Sequence, residues 1–167
     1  MAERNGPRFD ASVVAMSAVF AAAVAVATIA IAIPIGFGYL NFGEVAIYTA
    51  AFLFGEVVGA LAGGIGSAVA DVILGYAFYA PITLVAKGIE GYVVGHYAGE
   101  STRSKVIAVA AGAPFMIVSY VLARAYFEGI PAAILQELPI DIVQAVVGLV
   151  IALPLAAQLK TRIPELE

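Results

Sequence analysis

The stretch "ITLVAKGIEGYVVG", residues 82–95, decides how this chain must be read. It lies within a run apolar enough to cross a bilayer, yet it carries Lys87 and Glu90. A charge at the bilayer centre costs about 2.5–3.5 kcal/mol on insertion scales. With about 100° of turn per residue, the two side chains stand about 60° apart on one helix face. Gly91 and Gly95 continue that side, while Val85, Ile89, Tyr92 and Val93 lie opposite. The polar and glycine side is therefore expected to face protein and the bulky side lipid. Two readings follow: an ion pair that neutralises itself inside a bundle, or a pair that contacts a captured ligand.

Composition supplies the setting. The chain has 167 residues, 63% of them hydrophobic and 12% charged, with a mean hydropathy of +1.02. A soluble domain carries about 25% charged residues, and a chain this short cannot hide so large an apolar excess in its core. It belongs in a membrane. The absence of cysteine excludes disulfides, thiolate metal sites and cysteine nucleophiles. A net charge of −4 gives no basic footprint for nucleic acid. The first apolar run is too long for the core of a cleavable signal peptide, and no clear cleavage site follows it.

A spanning helix needs about 20 apolar residues. On that measure the chain divides into six spans, near residues 11–33, 44–54, 57–76, 81–98, 106–127 and 139–159. The expected fold is an all-α integral membrane protein, one compact six-helix domain over 1–167. Gly55-Glu56 is expected as a turn, and "GESTRSK" and "EGIPAAILQELP" as polar connections. With six spans, Arg4, Arg8, Arg103, Lys105, Lys160 and Arg162 all fall on one side. By the positive-inside rule that side is the cytoplasm, which places both termini there.

The remaining polar groups gather toward the other leaflet. Lys87, Asp71, Arg124, Asp141 and Gln144, with Tyr39, Asn41 and Glu44 in or beside the first outer loop, outline an outward-facing cup. A channel or proton wire needs polar groups across the full thickness instead. Each group also has a structural reading. Asp71 continues a small-residue stripe, Ala60, Gly63, Gly64, Ser67 and Ala68, and fits equally a partner for Lys87 or a backbone cap. Arg124, four residues after Tyr120, can snorkel to the interface. Asp141 suits the first turns of a helix, whereas Gln144 is harder to dismiss. His96 is interfacial, and a lone histidine supplies no metal cluster. No phosphate-binding loop of the G-x-x-x-x-G-K-[ST] type is present, so any ATP hydrolysis would have to happen in another chain.

The block "YLNFGEVAIYTAAFLFGEVVGALAGGIGSAVADVILGYAFYAPITLVAKGIEGYVVG", residues 39–95, followed by "LPIDIVQAVVGLVIALPL", residues 138–155, resembles the substrate-binding S components of energy-coupling-factor (ECF) vitamin transporters. It is most similar to the riboflavin, hydroxymethylpyrimidine or pyridoxine-like subgroup. The resemblance implies a multi-pass cell-membrane protein that binds one water-soluble vitamin or precursor near the outer face, without a cofactor or metal of its own. It also implies a transmembrane coupling (T) subunit and two cytoplasmic ATPase subunits as partners. An A-x-x-x-A face on the first helix docks the coupling subunit in that family. Ala18 and Ala22 fit it here, with Ala23 and Ala27 as the competing register. The pocket is then expected to involve Lys87, Glu90, Tyr120, Arg124, Asp141, Gln144, Tyr39, Asn41, Asp71 and Tyr79. Tyr39 or Tyr120 would stack on the ligand ring, and the loops around Tyr39 and Phe78-Tyr79 would close over it. Asp141 stands where asparagine is expected, which favours a ligand with donors or positive charge, such as an aminopyrimidine or pyridine.

Two other classes compete with this reading. An integral-membrane enzyme acting on a lipid-linked substrate would use Asp71, Glu90 or Asp141 as acid or base, and would need a metal or nucleophile cluster at one depth. A structural membrane scaffold would keep the ion pair for architecture alone. Alanine at Lys87 or Glu90 is expected to weaken ligand binding while leaving folding largely intact if the pair serves the ligand.

Overall fold

A computed structural model describes residues 10–35 and 38–162. The expectations for Arg4 and Arg8 lie outside these residues. Five helices and one short hairpin make up the described chain. Four of the helices are long and apolar enough to cross a membrane.

Helix α1, Ala11–Ala30, starts where the Asp10 carboxylate accepts a hydrogen bond from the Val13 amide at 2.9 Å, satisfying one of the free donors of the first turn. It ends earlier than its apolar run suggests. Strand β1, Ile33–Ile35, pairs antiparallel with β2, Gly38–Leu40, so that Pro34 faces Tyr39. Pro34 fixes an extended backbone and cannot continue a helix, and β-branched Ile33 and Ile35 suit a strand. The expected loop after α1 is thus partly a hairpin.

Helix α2, Gly43–Leu74, contains both the second and third expected spans. The boundary expected at Gly55-Glu56 is a break within it: Gly55 has φ 79° and ψ −164°, a conformation open essentially only to glycine. Nearly every residue of 43–51 is buried, so this short first half is the central rod of the molecule. Helix α3, Ala80–Tyr97, begins with Pro81 in its first turn, and α4, Thr102–Glu128, with a Ser101 cap. Helix α5, Ile130–Lys160, starts nine residues before the expected span, so most of the polar stretch expected as a connection is helical. Only Gly129 separates α4 from α5.

Helix α2 packs against α1, α3 and α5; α4 bridges α3 and α5. Glycine sets the closest approaches. A Cβ on Gly91 would lie 2.2 Å from the Gly59 carbonyl oxygen, and one on Gly66 would lie 2.4 Å from the Ala21 carbonyl. Backbones this close are the small-residue packing expected of membrane helices. The surface and interior are inverted relative to a soluble domain. Val26, Ile73, Leu122 and Leu135 are exposed, whereas Glu44, Lys87, Glu90, Arg124, Asp141 and Gln144 are buried. Exposed apolar side chains on long helices and ionisable groups turned inward are the pattern of a multi-pass membrane protein.

Candidate functional site: a polar cavity beneath the hairpin

A cavity of about 630 Å³, counted with the space open at its mouth, lies among the hairpin and the five helices. Helical spacing explains how each element supplies its wall. Ser67 and Asp71 are one turn apart on α2, Thr83 and Lys87 on α3, and Glu137, Asp141 and Gln144 follow one face of α5. Tyr120 enters from α4, while Tyr39, Asn41, Tyr76 and Tyr79 come from the hairpin and the turns. Of the ten residues expected at a pocket, eight line this cavity: Lys87, Tyr120, Asp141, Gln144, Tyr39, Asn41, Asp71 and Tyr79.

Glu90 and Arg124 are not in its wall. Glu90 is fully buried behind it, accepting a hydrogen bond from the Tyr48 hydroxyl at 2.6 Å. Lys87 is 3.4 Å from Glu90 but in direct contact with Glu44, a partner one turn before Tyr48 on the central rod. Its ammonium also touches the Met116 sulfur and stands 5.6 Å from the Tyr120 ring centre. The i,i+3 pair read from the sequence is therefore part of a larger cluster. Arg124 does not snorkel to the interface: at 1% exposure it is held by Glu128, Glu137 and Gln136. That cluster clamps the end of α4 to the start of α5.

The wall is internally braced near the hairpin. The Tyr39 hydroxyl donates to Asp71 at 2.5 Å. The Asn41 backbone amide and side-chain amide both donate to Gln144 Oε1, at 3.0 and 3.2 Å. Asn41 Oδ1 in turn accepts from the Gly43 amide at 2.8 Å, which starts the central rod. The hairpin is thus tied to α2 and α5 by the same side chains that line the cavity. Burial, then the Asp71 charge, pushes the Tyr39 phenol well above its ordinary pKa. Tyr120 donates to Thr83 at 3.1 Å. Tyr79 faces the cavity, whereas Phe78 is exposed and packs on Phe127.

Sequence reading missed Thr28, Ser67, Tyr76, Thr83 and Glu137 in the wall and Tyr48 behind it, and it placed Glu44 at the outer cup without pairing it to Lys87. The one-turn spacings to Asp71, Lys87 and Asp141 were the available signal for Ser67, Thr83 and Glu137. The Glu44–Lys87 pairing had no such signal, because it spans two elements. On α1, Ala18 and Ala22 are exposed; of the competing register, Ala23 is exposed and Ala27 half-buried. His96 lies outside the cavity wall and meets Glu56 at 2.6 Å beside the Gly55 break. Among the described residues no group of three or more His, Cys, Asp or Glu side chains is placed to hold a metal ion.

Comparison with known proteins bears on what such a cavity serves. The sequence matches the family model described as "ECF-type riboflavin transporter, S component" over residues 9–161. A Pyrococcus woesei protein, described only as an "Uncharacterized protein in gap 3'region", is 44% identical over 133 residues, covering 78% of this chain and 88% of that protein. The "Thiamine precursor transporter HmpT" of Lactococcus lactis subsp. cremoris is 33% identical over 109 residues, covering 65% of this chain and 62% of the relative. The family match spans nearly the whole described chain, including every element that builds the cavity. The chain belongs to the family of ECF-type riboflavin transporter S components, and is a transport component rather than an enzyme.

Proposed function

We propose that this protein captures a water-soluble vitamin or vitamin precursor from outside the cell, in the cavity beneath the hairpin, for uptake driven by partner subunits. The observation that carries the reading is the convergence of Lys87, Asp71, Asp141, Gln144, Tyr39 and Tyr120 on one cavity inside a membrane protein of this family. Polar groups retained at such cost within a bilayer mark a substrate site by default. The role carried in the Lactococcus relative's name, transport of a thiamine precursor, agrees with a small polar cargo.

In this reading α1, the two halves of α2, α3, α4 and α5 form six spans in the cell membrane, with both termini cytoplasmic. Arg103, Lys105, Lys160 and Arg162 support that orientation through the positive-inside rule. The hairpin then closes the outer mouth, excluding water and strengthening the polar contacts beneath it. A transmembrane coupling subunit docks on the exposed Ala18 and Ala22 face, and two cytoplasmic ATPase subunits supply the energy.

Mass spectrometry of small molecules released from the detergent-purified protein tests the capture step. A stoichiometric vitamin-like molecule, absent from Asp141→Asn purified in parallel, is the expected result. A protein that is empty and refuses riboflavin, hydroxymethylpyrimidine, thiamine and pyridoxine would sink the proposal.

A further inference from the structure

We infer that the cavity binds its ligand as a cation, a protonated nitrogen heterocycle whose charge is balanced by Asp71 and Asp141; this rests on the capture reading above. The starting point is a local charge imbalance. Asp71 and Asp141 are each 4% exposed and face the cavity, and each has a buried Oδ2 with no hydrogen-bond partner. Neither has an ion-pair partner among the described residues, whose salt bridges all involve other carboxylates.

The neighbouring cations are already committed. On α3, Lys87 contacts Glu44 of α2 and lies 3.4 Å from Glu90, so two carboxylates share its single charge. Its field reaches Asp141, but its ammonium is in contact with Glu44. On α4, Arg124 is held between Glu128 and Glu137, again two carboxylates to one cation. An ionised carboxylate buried without a partner costs several kcal/mol at least. A ligand bringing positive charge removes that cost as it binds.

The rest of the wall suits such a ligand. Tyr39, Tyr76, Tyr79 and Tyr120 present four aromatic rings to the cavity, and the electron-rich faces of such rings attract cations. Tyr39 spends its hydroxyl proton on Asp71, and Tyr120 donates its own to Thr83. The Gln144 carbonyl already accepts twice from Asn41. A neutral ligand edged with carbonyl oxygens would set acceptors against these carboxylates, whereas a protonated ring nitrogen or exocyclic amine gives their unpartnered Oδ2 atoms a donor.

Two probes separate the possibilities on the full-length protein, stripped of copurified ligand and kept in detergent. Hydroxymethylpyrimidine carries a basic ring nitrogen, and riboflavin stays uncharged between pH 6 and 8.5, the working range. Equilibrium dialysis is expected to show hydroxymethylpyrimidine affinity falling by up to about tenfold per pH unit above the nitrogen's own pKa. Riboflavin binding should be weak and insensitive to pH. Asp71→Asn and Asp141→Asn should each cost roughly tenfold or more in pyrimidine affinity at pH 6, with a thermal midpoint close to that of the parent protein. Tight, pH-independent riboflavin binding with no pyrimidine binding would overturn the cation inference and leave vitamin capture standing. So would Asn variants that bind the pyrimidine as tightly as the parent without pH dependence, because the proton would then reside on the carboxyl. Failure of both probes and of thiamine and pyridoxine to load would overturn the capture reading together with this one.

Discussion

Lys87 sits among Glu44, Glu90 and the sulfur of Met116, and its removal strands two buried carboxylates. Breaking a buried ion pair from one side costs about 3–5 kcal/mol. Lys87→Ala is therefore expected to lose stability as well as ligand, unlike the binding-only loss expected from the i,i+3 pair alone. Lys87→Met combined with Glu44→Gln should recover part of the thermal midpoint, Glu90 still lacking its cation, without recovering ligand binding. A double variant no more stable than Lys87→Ala would refute the structural role of the cluster. Tyr39 offers a pH test. Its folded-state pKa lies above the ordinary phenol value because of burial and Asp71, so its contribution is complete below the unfolded value near 10 and is lost as pH rises above it. A thermal midpoint that falls above pH 10 in the parent protein, and falls less in Tyr39→Phe, is the expected outcome. At this scale the wall residues with strong chemistry, Lys87, Asp71, Asp141 and Gln144, were legible because a polar group in an apolar run is conspicuous. Thr28 and Tyr76 were not, since a threonine or tyrosine is unremarkable near a membrane interface.

Among the elements, glycine separates two kinds of constraint. Gly55 breaks α2 through its positive φ, yet a Cβ there meets nothing within 4 Å. Gly91 is helical, but its Cβ would strike the Gly59 carbonyl oxygen at 2.2 Å. Gly55→Ala should cost about 1–3 kcal/mol through the backbone alone and leave ligand affinity nearly unchanged. Gly91→Ala should cost a similar amount, about 1–3 kcal/mol by overpacking, but it pushes α3 away from α2 and moves Lys87 relative to Glu44. Its ligand affinity should fall by roughly tenfold or more, since a misplacement near 1 Å weakens polar contacts steeply. Equal affinity in the two variants would show that the α2–α3 crossing does not set the cavity. The Gly55 break was visible in the sequence as a turn. The hairpin and the early start of α5 were not, because strands of three residues carry no reliable periodicity and the polar turns of 130–138 look like a loop when read by hydropathy alone.

For the whole molecule, the absence of cysteine makes topology easy to measure. Single cysteines at Ser101 or Thr161 should react with an impermeant maleimide only from the cytoplasmic side, and one at the exposed Phe78 only from outside. Labelling of Ser101 and Phe78 positions from the same side would remove the six-span orientation. Ala18→Trp and Ala22→Trp place bulk on the exposed face of α1 without entering the cavity. Both are expected to abolish copurification with the proposed coupling subunit while ligand binding is retained. Retained copurification in both variants would move the docking surface elsewhere.

The sequence by itself determined a membrane protein built of apolar helices. Bilayer residence depends on total hydropathy and the spacing of charges, which are properties of the chain read in order. It also marked most of the cavity's charged and amide groups, and the resemblance to ECF S components that the family match confirms. Only the tertiary structure decided which charges meet. Lys87 lies one turn from Glu90 along its own helix, yet the ammonium is in contact with Glu44, forty-three positions away. Arg124 does not line the cavity but pairs with Glu128 and with the wall residue Glu137. A buried charge takes the partner that three-dimensional packing brings within reach, and in a bundle joined by glycine contacts that partner usually comes from another helix.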